Sequence, residues 1–315
     1  MLKSHLKTNL NEDLGFGRLP TQNNQRMMNK DGSSNLKRKG LPFFKPHEAY
    51  NSLIYMSWGK FWTIILSAYF LINTLFACIY LSLGIQHLKG SESKTTFDQF
   101  FDGFFFSAQT ISTVGYGHLS PNGMATSSVA AFESMLGLLV FAMATGLLYG
   151  RFSRPNSRMV YSDKLLISPY KEGTALMLRL ANYRSNQLID LEIEVYLAYN
   201  VLEGGVKVRK FLLLELERNK VAILSTSWTI VHPINEDSPI RDFTKEQLIE
   251  SGAEFLVLLK SFDDAFAQVV HSRTSYKANE IIYNAKFSPV TLTDRDGLME
   301  FDVSKIGTYQ LVKAN

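Results

Sequence analysis

The run Thr110-Ile111-Ser112-Thr113-Val114-Gly115-Tyr116-Gly117 carries the most specific residue spacing in this 315-residue chain. Its two glycines are separated by one residue, and glycine takes left-handed backbone angles at little steric cost. An apolar, aromatic run from Phe97 to Phe106 leads in, Pro121 and Gly123 close it off, and long apolar segments flank both sides. That layout is a pore loop. Other chemistries lack their residues. The six histidines are scattered, and the chain has no metal-spaced His/Cys cluster, phosphate-binding glycine loop or nucleophile elbow, so it is not expected to be an enzyme. The single cysteine, Cys78, excludes an intramolecular disulfide and a Cys-based metal cluster, which fits a reducing cytoplasm. A net charge of +4 is too small to argue for nucleic acid.

The elements that must hold this loop are legible from hydropathy. Hydrophobic residues make up 46% of the chain although the mean hydropathy is close to zero, so apolar residues are concentrated in part of it. Phe61 to Ile85 is uncharged, and its 25 residues make a helix of about 37 Å, enough to cross a hydrocarbon core of roughly 30 Å. A second span is predicted from Met124 to Gly150, with Glu133 its one charge and Gly137 and Gly146 within it. Between them, Phe97 to Gln109 reads as a half-length helix whose C-terminal dipole favours a cation. Residues 46–154 thus form a two-span pore domain, with pore helix and filter over 97–117. Lys37, Arg38, Lys39, Lys45 and Lys60 precede the first span, and Arg151, Arg154 and Arg158 follow the second. The intervening loop sets Lys89 and Lys94 against Glu92, which places both termini in the cytoplasm. Residues 1–45 are polar and expected to be a disordered tether without a signal peptide. His47 to Trp58 has the spacing of a short helix in the membrane interface.

From residue 155 to 315 the period changes to two. Leu191, Ile193, Val195 and Leu197 alternate with Glu192, Glu194 and Tyr196, as in a half-buried strand, and Glu203-Gly204-Gly205 reads as a hairpin turn. Further strands are predicted at 176–181, 206–216, 228–231, 254–259, 280–283 and 290–293, with a turn at Asp296-Gly297. Short strands at this spacing argue for an all-β sandwich.

The 110–117 run resembles the potassium-channel signature, in which backbone carbonyls replace the hydration shell of a dehydrated ion. With Phe132-Glu133-Ser134, Gly137, Arg154-Pro155, the segment Ser227-Trp228-Thr229-Ile230-Val231-His232-Pro233-Ile234 followed by Asp237-Ser238-Pro239, and Ala278-Asn279-Glu280-Ile281, the chain is similar to inward-rectifier potassium channels, their prokaryotic branch above all, from about residue 45 to the end. The resemblance implies an immunoglobulin-like cytoplasmic sandwich, a homotetramer in the cell's inner membrane, and a filter of Thr113, Val114, Gly115, Tyr116 and Gly117. The carbonyls of Thr113 to Tyr116 would hold permeant potassium, with the Thr113 hydroxyl at the inner end and no cofactor besides the ion. Val114 and Tyr116 would pack outward.

It also implies a gate at Phe141 and Tyr149 on the second span, bending at Gly146 and at Gly137. Anionic lipids, phosphoinositides among them, would meet Trp58, Lys60, Arg151, Arg154 and Arg158, although Asn156 and Ser157 stand where eukaryotic members have two lysines. Many members brace the filter with a pore-helix Glu and an Arg behind the filter; this chain has Gln109 and His118. Glu133 either supplies a carboxylate nearby or is bonded to backbone amides. Phe141 stands where strong rectifiers carry an acid, so block by polyamines or magnesium is expected to be weak.

Overall fold

The structure is a computed structural model that describes residues 15, 25–36, 39–40, 49–154, 158–293 and 299–312. The chain divides into two compact units, residues 40–154, and residues 155–315 together with 1–39. Sequence reasoning instead set the first 45 residues apart as a tether.

In the first unit, α1 (Ala49–Tyr55), α2 (Trp58–Leu83), β1 (Leu88–Lys89), α3 (Thr96–Ile111), β2 (Ser120–Pro121) and α4 (Met124–Phe152) follow one another. By length and composition α2 and α4 are long and apolar enough to cross a membrane. The 16 residues of α3 reach only about 24 Å, short of a crossing. Thr95 starts α3 by accepting from the Asp98 N–H at 3.2 Å, one of the four donors a helix start leaves unmet. At Gly103 a side chain would press on the Ala77 carbonyl at 3.2 Å, so this glycine lets α3 lie close on α2. Phe76, Tyr80 and Phe106 fill the contact, and the pairing of β1 with β2 ties together the two outer connections. The short helix expected over 47–58 is observed as Ala49–Tyr55; residues 41–48 lie outside the described residues, as do Lys37 and Arg38.

The second unit is all-β. Its main strands are β3 (Met159–Tyr161), β4 (Leu165–Tyr170), β5 (Gly173–Asn182), β6 (Leu188–Glu203), β7 (Val206–Leu213), β8 (Lys220–Leu224), β9 (Ser227–Pro233), β10 (Glu254–Asp263), β11 (Gln268–Lys277) and β12 (Ile281–Tyr283). One sheet runs β11-β10-β6-β7, with β8 also on β6; the other runs β12-β4-β5-β3, with β9 also on β5. The alternating Leu191, Ile193, Val195 and Leu197 point into a core shared with Leu176, Leu178 and Leu180 of β5 and Phe255, Val257 and Leu259 of β10. Two faces of such sheets meet in a sandwich. β3, β4, β8 and β11 were not expected from the sequence, and the turn at Asp296-Gly297 lies outside the described residues.

The tether expectation is corrected over residues 25–36. Met27 and Met28 are buried against Tyr196, Ala198, Phe211 and Leu256 on the outer face of the first sheet. Glu254, itself buried, accepts the Met27 N–H at 2.9 Å and the Met28 N–H at 3.2 Å while pairing with Arg209 at 3.2 Å. Thr274 donates to the Lys30 carbonyl at 3.0 Å, and Ser275 to that of Met28. The apolar patch of Tyr196, Ala198, Phe211 and Leu256 on this outer face is removed from water by the two methionines, and that burial together with these hydrogen bonds offsets the entropy of ordering residues 25–36.

The motif residue His232 is buried on β9. Its Nδ1 lies 2.6 Å from the Glu215 carbonyl and must donate; its Nε2, 2.8 Å from Ser238 Oγ, then accepts the hydroxyl proton. Burial lowers its pKa below the ordinary value of 6.5, only partly opposed by the Glu215 carbonyl. The unfolded chain therefore binds more protons below pH about 6.5, and stability should be full above that value and fall as the pH drops toward the folded pKa. Thermal unfolding of the purified protein across pH 7.5 to 5, a range bracketing the ordinary histidine pKa, should show this loss, and His232→Gln should flatten it.

Candidate ion-conduction site

The loop that follows α3 is shaped by where its N–H groups go. Those of Val114 and Gly115 both donate to the Gln109 carbonyl, at 3.0 and 3.2 Å, and that of Thr113 to the Thr110 carbonyl at 3.1 Å. The Tyr116 N–H donates to the Gln109 side-chain oxygen at 3.1 Å. The peptide bonds among the described residues are all trans, and in a trans peptide the carbonyl of one residue points opposite the N–H of the next. The carbonyls of Ser112, Thr113, Val114 and Gly115 are therefore turned away from the pore helix. Left-handed φ values recur at every second residue, Thr113 at 60°, Gly115 at 57° and Gly117 at 80°. For a β-branched residue such as Thr113 this conformation costs of order 1–3 kcal/mol. Only the two glycines were foreseen there.

Gln109 closes the loop at both ends: its amide nitrogen donates to the Leu119 carbonyl beyond the filter at 3.3 Å. One neutral side chain thus spans the loop, bonded on both sides of Gly117. His118 is exposed, and its backbone is what packs, its carbonyl lying where a Gly90 side chain would project. Val114 and Tyr116 flank, with Phe105 and His118, an open cavity of about 430 Å³, and Tyr116 is 81% exposed in the single chain.

Glu133 is fully buried behind α3. Its carboxyl oxygens accept from the Tyr80 hydroxyl of α2 at 2.6 Å and from the Ser107 hydroxyl of α3, which also lies 2.9 Å from the Asn73 side-chain oxygen. Hydroxyls, rather than the backbone amides weighed from sequence, hold it. Glu133 is thus the knot joining α2, α3 and α4, and it is closed off from solvent. Sequence reasoning missed Tyr80, Ser107 and Asn73. An Asn inside an apolar span was the available signal, because an unpaired amide there is costly.

Gly137, named for bending, sits against the end of the pore helix: a side chain there would meet the Ile111 carbonyl at 2.2 Å. Gly146 has open space around it. The neighbouring Thr145 hydroxyl donates to the Phe141 carbonyl at 2.9 Å, a bond that loosens helix packing locally. Phe141 and Tyr149 are each 74% exposed. Among the basic residues named for lipid, Lys60, Arg154 and Arg158 are exposed, and Arg154 stacks 3.5 Å over the Tyr55 ring. Arg151 is turned inward onto α1 and against Trp58.

Residues 71–154 match the family model for "Ion channel", and residues 159–315 that for "Inward rectifier potassium channel C-terminal domain". The chain is 38% identical over 295 residues to the inward rectifier potassium channel Kirbac3.1 of Paramagnetospirillum magnetotacticum, covering 92% of this chain and 97% of the other. It is 26% identical over 306 residues to ATP-sensitive inward rectifier potassium channel 15 of Mus musculus, covering 89% and 80%, and equally to that of Rattus norvegicus, covering 89% and 75%. Its likeness to the sporulation control protein Spo0M of Bacillus subtilis, with 11% identity, a TM-score of 0.25, and 41% and 50% of the chains covered, carries no argument.

Replacing Gln109 by Leu removes its side-chain bonds to Tyr116 and to Leu119, each worth about 1 kcal/mol. The ratio of rubidium to sodium flux should fall by roughly tenfold or more, while Gln109→Glu, which keeps the acceptor for Tyr116, should lose less. Radioisotope uptake into vesicles measures both.

Proposed function

Because the chain belongs to the inward-rectifier potassium channel family, we propose that it works as a homotetramer in which four loops of residues 113–117 surround one axis and pass potassium. The observation that carries this reading is that consecutive carbonyls of the loop are turned away from the pore helix, since such oxygens serve an ion only when several chains face each other. A closed ring is the natural assembly for such a surface. Potassium is cargo in this reading, held in passing by the carbonyls of Thr113 to Tyr116, and no resident cofactor is needed.

The protein is a membrane protein by family and by its two apolar helices. We place it in the cell's inner membrane with both termini cytoplasmic, on the asymmetry of Lys and Arg about the spans. Four copies of Tyr149, with Phe141 above, would narrow the inner pore, where apolar walls offer an ion nothing in place of water. Lys60, Arg154 and Arg158 carry the exposed charge that anionic headgroups, phosphoinositides included, would meet, each worth about 1 kcal/mol near such a surface. The sandwich, with the strap of residues 25–36 packed on its first sheet, would be the regulatory domain.

Purified protein in liposomes should take up potassium and rubidium and largely reject sodium. Gly115→Ala and Gly117→Ala, which force a side chain into left-handed backbone, should abolish that selectivity. Equal sodium and potassium flux through the unmodified protein overturns the reading.

Weak rectification follows from the cavity. Depolarisation drives a polyvalent blocker inward with about 2.3 kcal/mol per charge per 100 mV, but retention needs nearby negative charge. Phe141 supplies none, and Glu133 is held behind α3. Internal spermine or magnesium should block shallowly, and Phe141→Asp should deepen the block markedly in reconstituted-channel recordings.

A further inference from the structure

Between α2, α3 and α4 lies a buried polar cluster whose hydrogens can be counted. The Tyr80 hydroxyl donates to one carboxyl oxygen of Glu133 at 2.6 Å. The Asn73 amide nitrogen donates to the Tyr69 carbonyl at 2.7 Å, which turns the amide oxygen toward Ser107, 2.9 Å away. Ser107 Oγ therefore sits between that oxygen and the second carboxyl oxygen of Glu133. An amide oxygen has no proton to give, and a serine hydroxyl has one. With Glu133 ionised, Ser107 would face two acceptors with a single proton, and one acceptor would stay without a donor although Asn73, Ser107 and Glu133 are all fully buried. A proton on Glu133 removes the deficit. The carboxyl then donates to Ser107, and Ser107 to Asn73.

The charges around the cluster point the same way. Among the described residues no cation pairs with Glu133, whose side-chain partners are Tyr80 and Ser107. The acids of α3, Asp98 and Asp102, bond to Thr95 and Ser91 near the helix start. Lys60 precedes Tyr80 by about 30 Å along α2, and Arg151 follows Glu133 by about 27 Å along α4. His87, Lys89 and His118 in the outer connections are exposed. A carboxylate taken out of water with no cation beside it is strongly disfavoured, whereas the neutral acid needs only the hydrogen bonds already present.

We propose that Glu133 is a neutral carboxylic acid in the working channel, and that its proton, heading a chain of hydrogen bonds through Ser107 to Asn73, holds the pore helix in place behind the filter. This rests on reading the chain as a channel, and it makes Glu133 a positioning residue that touches no ion. Ser107 stands two residues before Gln109, whose carbonyl and side chain hold the loop. Losing the proton would break the chain at Ser107 and leave an unpaired charge behind α3, so the filter should lose its hold when Glu133 ionises.

Infrared difference spectra of the unmodified protein against Glu133→Gln, both in liposomes near neutral pH, read the proton directly. The carbonyl stretch of a protonated carboxylic acid lies apart from the carboxylate bands; it should be present in the first and missing in the second. Ser107→Ala, which removes the acceptor, should move that band to higher frequency. On the same liposomes the ratio of rubidium to sodium flux is followed as the pH is raised from 6 to 10, well above the ordinary Glu pKa of about 4.3. The ratio should hold wherever the acid band persists and fall by about tenfold where it fades, the size expected when one or two hydrogen bonds are lost. Glu133→Gln keeps a donor toward Ser107 and an acceptor for Tyr80 but cannot ionise, so this conservative variant should stay selective and level across the range.

No acid band near neutral pH overturns the proposal. So does a band that fades while the flux ratio stays, a fall in ratio while the band persists, or a fall that Glu133→Gln shares. Should Glu133→Gln fail to assemble, Ser107→Ala decides, because an acid band that it leaves unmoved does not belong to Glu133. An unmodified protein that passes no potassium refutes the channel reading instead, while the acid band still reports on Glu133.

Discussion

Everything in the pore unit depends on one requirement, that consecutive backbone carbonyls point away from the chain carrying them. Backbone dipoles do not do this unaided, because neighbouring peptides in extended chain alternate sides. Here four consecutive N–H groups are drawn back onto Thr110 and Gln109, and the trans peptide does the rest. The left-handed residues follow as a consequence, at a cost that Thr113 bears without the freedom of glycine. The pore helix must then be immobile. Glu133, Tyr80 and Ser107 knot it to both long helices, and Gly103 and Gly137 let those helices approach its backbone.

Polar groups in this unit are used economically. A neutral Gln109 braces the loop from behind, and in an apolar setting a neutral brace avoids the desolvation penalty that buried charges would carry. Its amide offers a donor and an acceptor, which is the pairing needed to reach Leu119 on one side and Tyr116 on the other. Glu133 is satisfied by hydroxyls on two helices. At the other end of α4 the same economy recurs, with Arg151 satisfying the open carbonyls of α1 and joining two helices in doing so.

In the sandwich, the outer face of the first sheet is apolar around Tyr196, Ala198, Phe211 and Leu256, and Met27 and Met28 cover that patch. The buried pair of Arg209 with Glu254 anchors that cover, since Glu254 also accepts two strap N–H groups. Removing either partner would leave a charge alone in the interior. Ordering of the strap and integrity of the sheet are therefore one event.

Hydropathy and spacing by themselves determined the two spans, the half-length helix between them, the glycine-spaced loop that follows it and the all-β character of the second unit. These are properties of contiguous residues: an uncharged stretch long enough to cross, a glycine at every second position, a two-residue alternation. β11 was hidden because its buried Thr274 and Ser275 are polar and bond the N-terminal strap, a partner some 245 positions away. The strap was hidden for the matching reason, being polar in composition but ordered by a face formed elsewhere. Likewise Arg151 reads from its neighbours as one of three basic residues after a span, and only folding brings the open carbonyls of Leu53, Ile54 and Met56 beneath it. Local sequence sets what a segment is able to form; which polar groups end up sharing a hydrogen bond depends on distances that the chain fixes only when it packs.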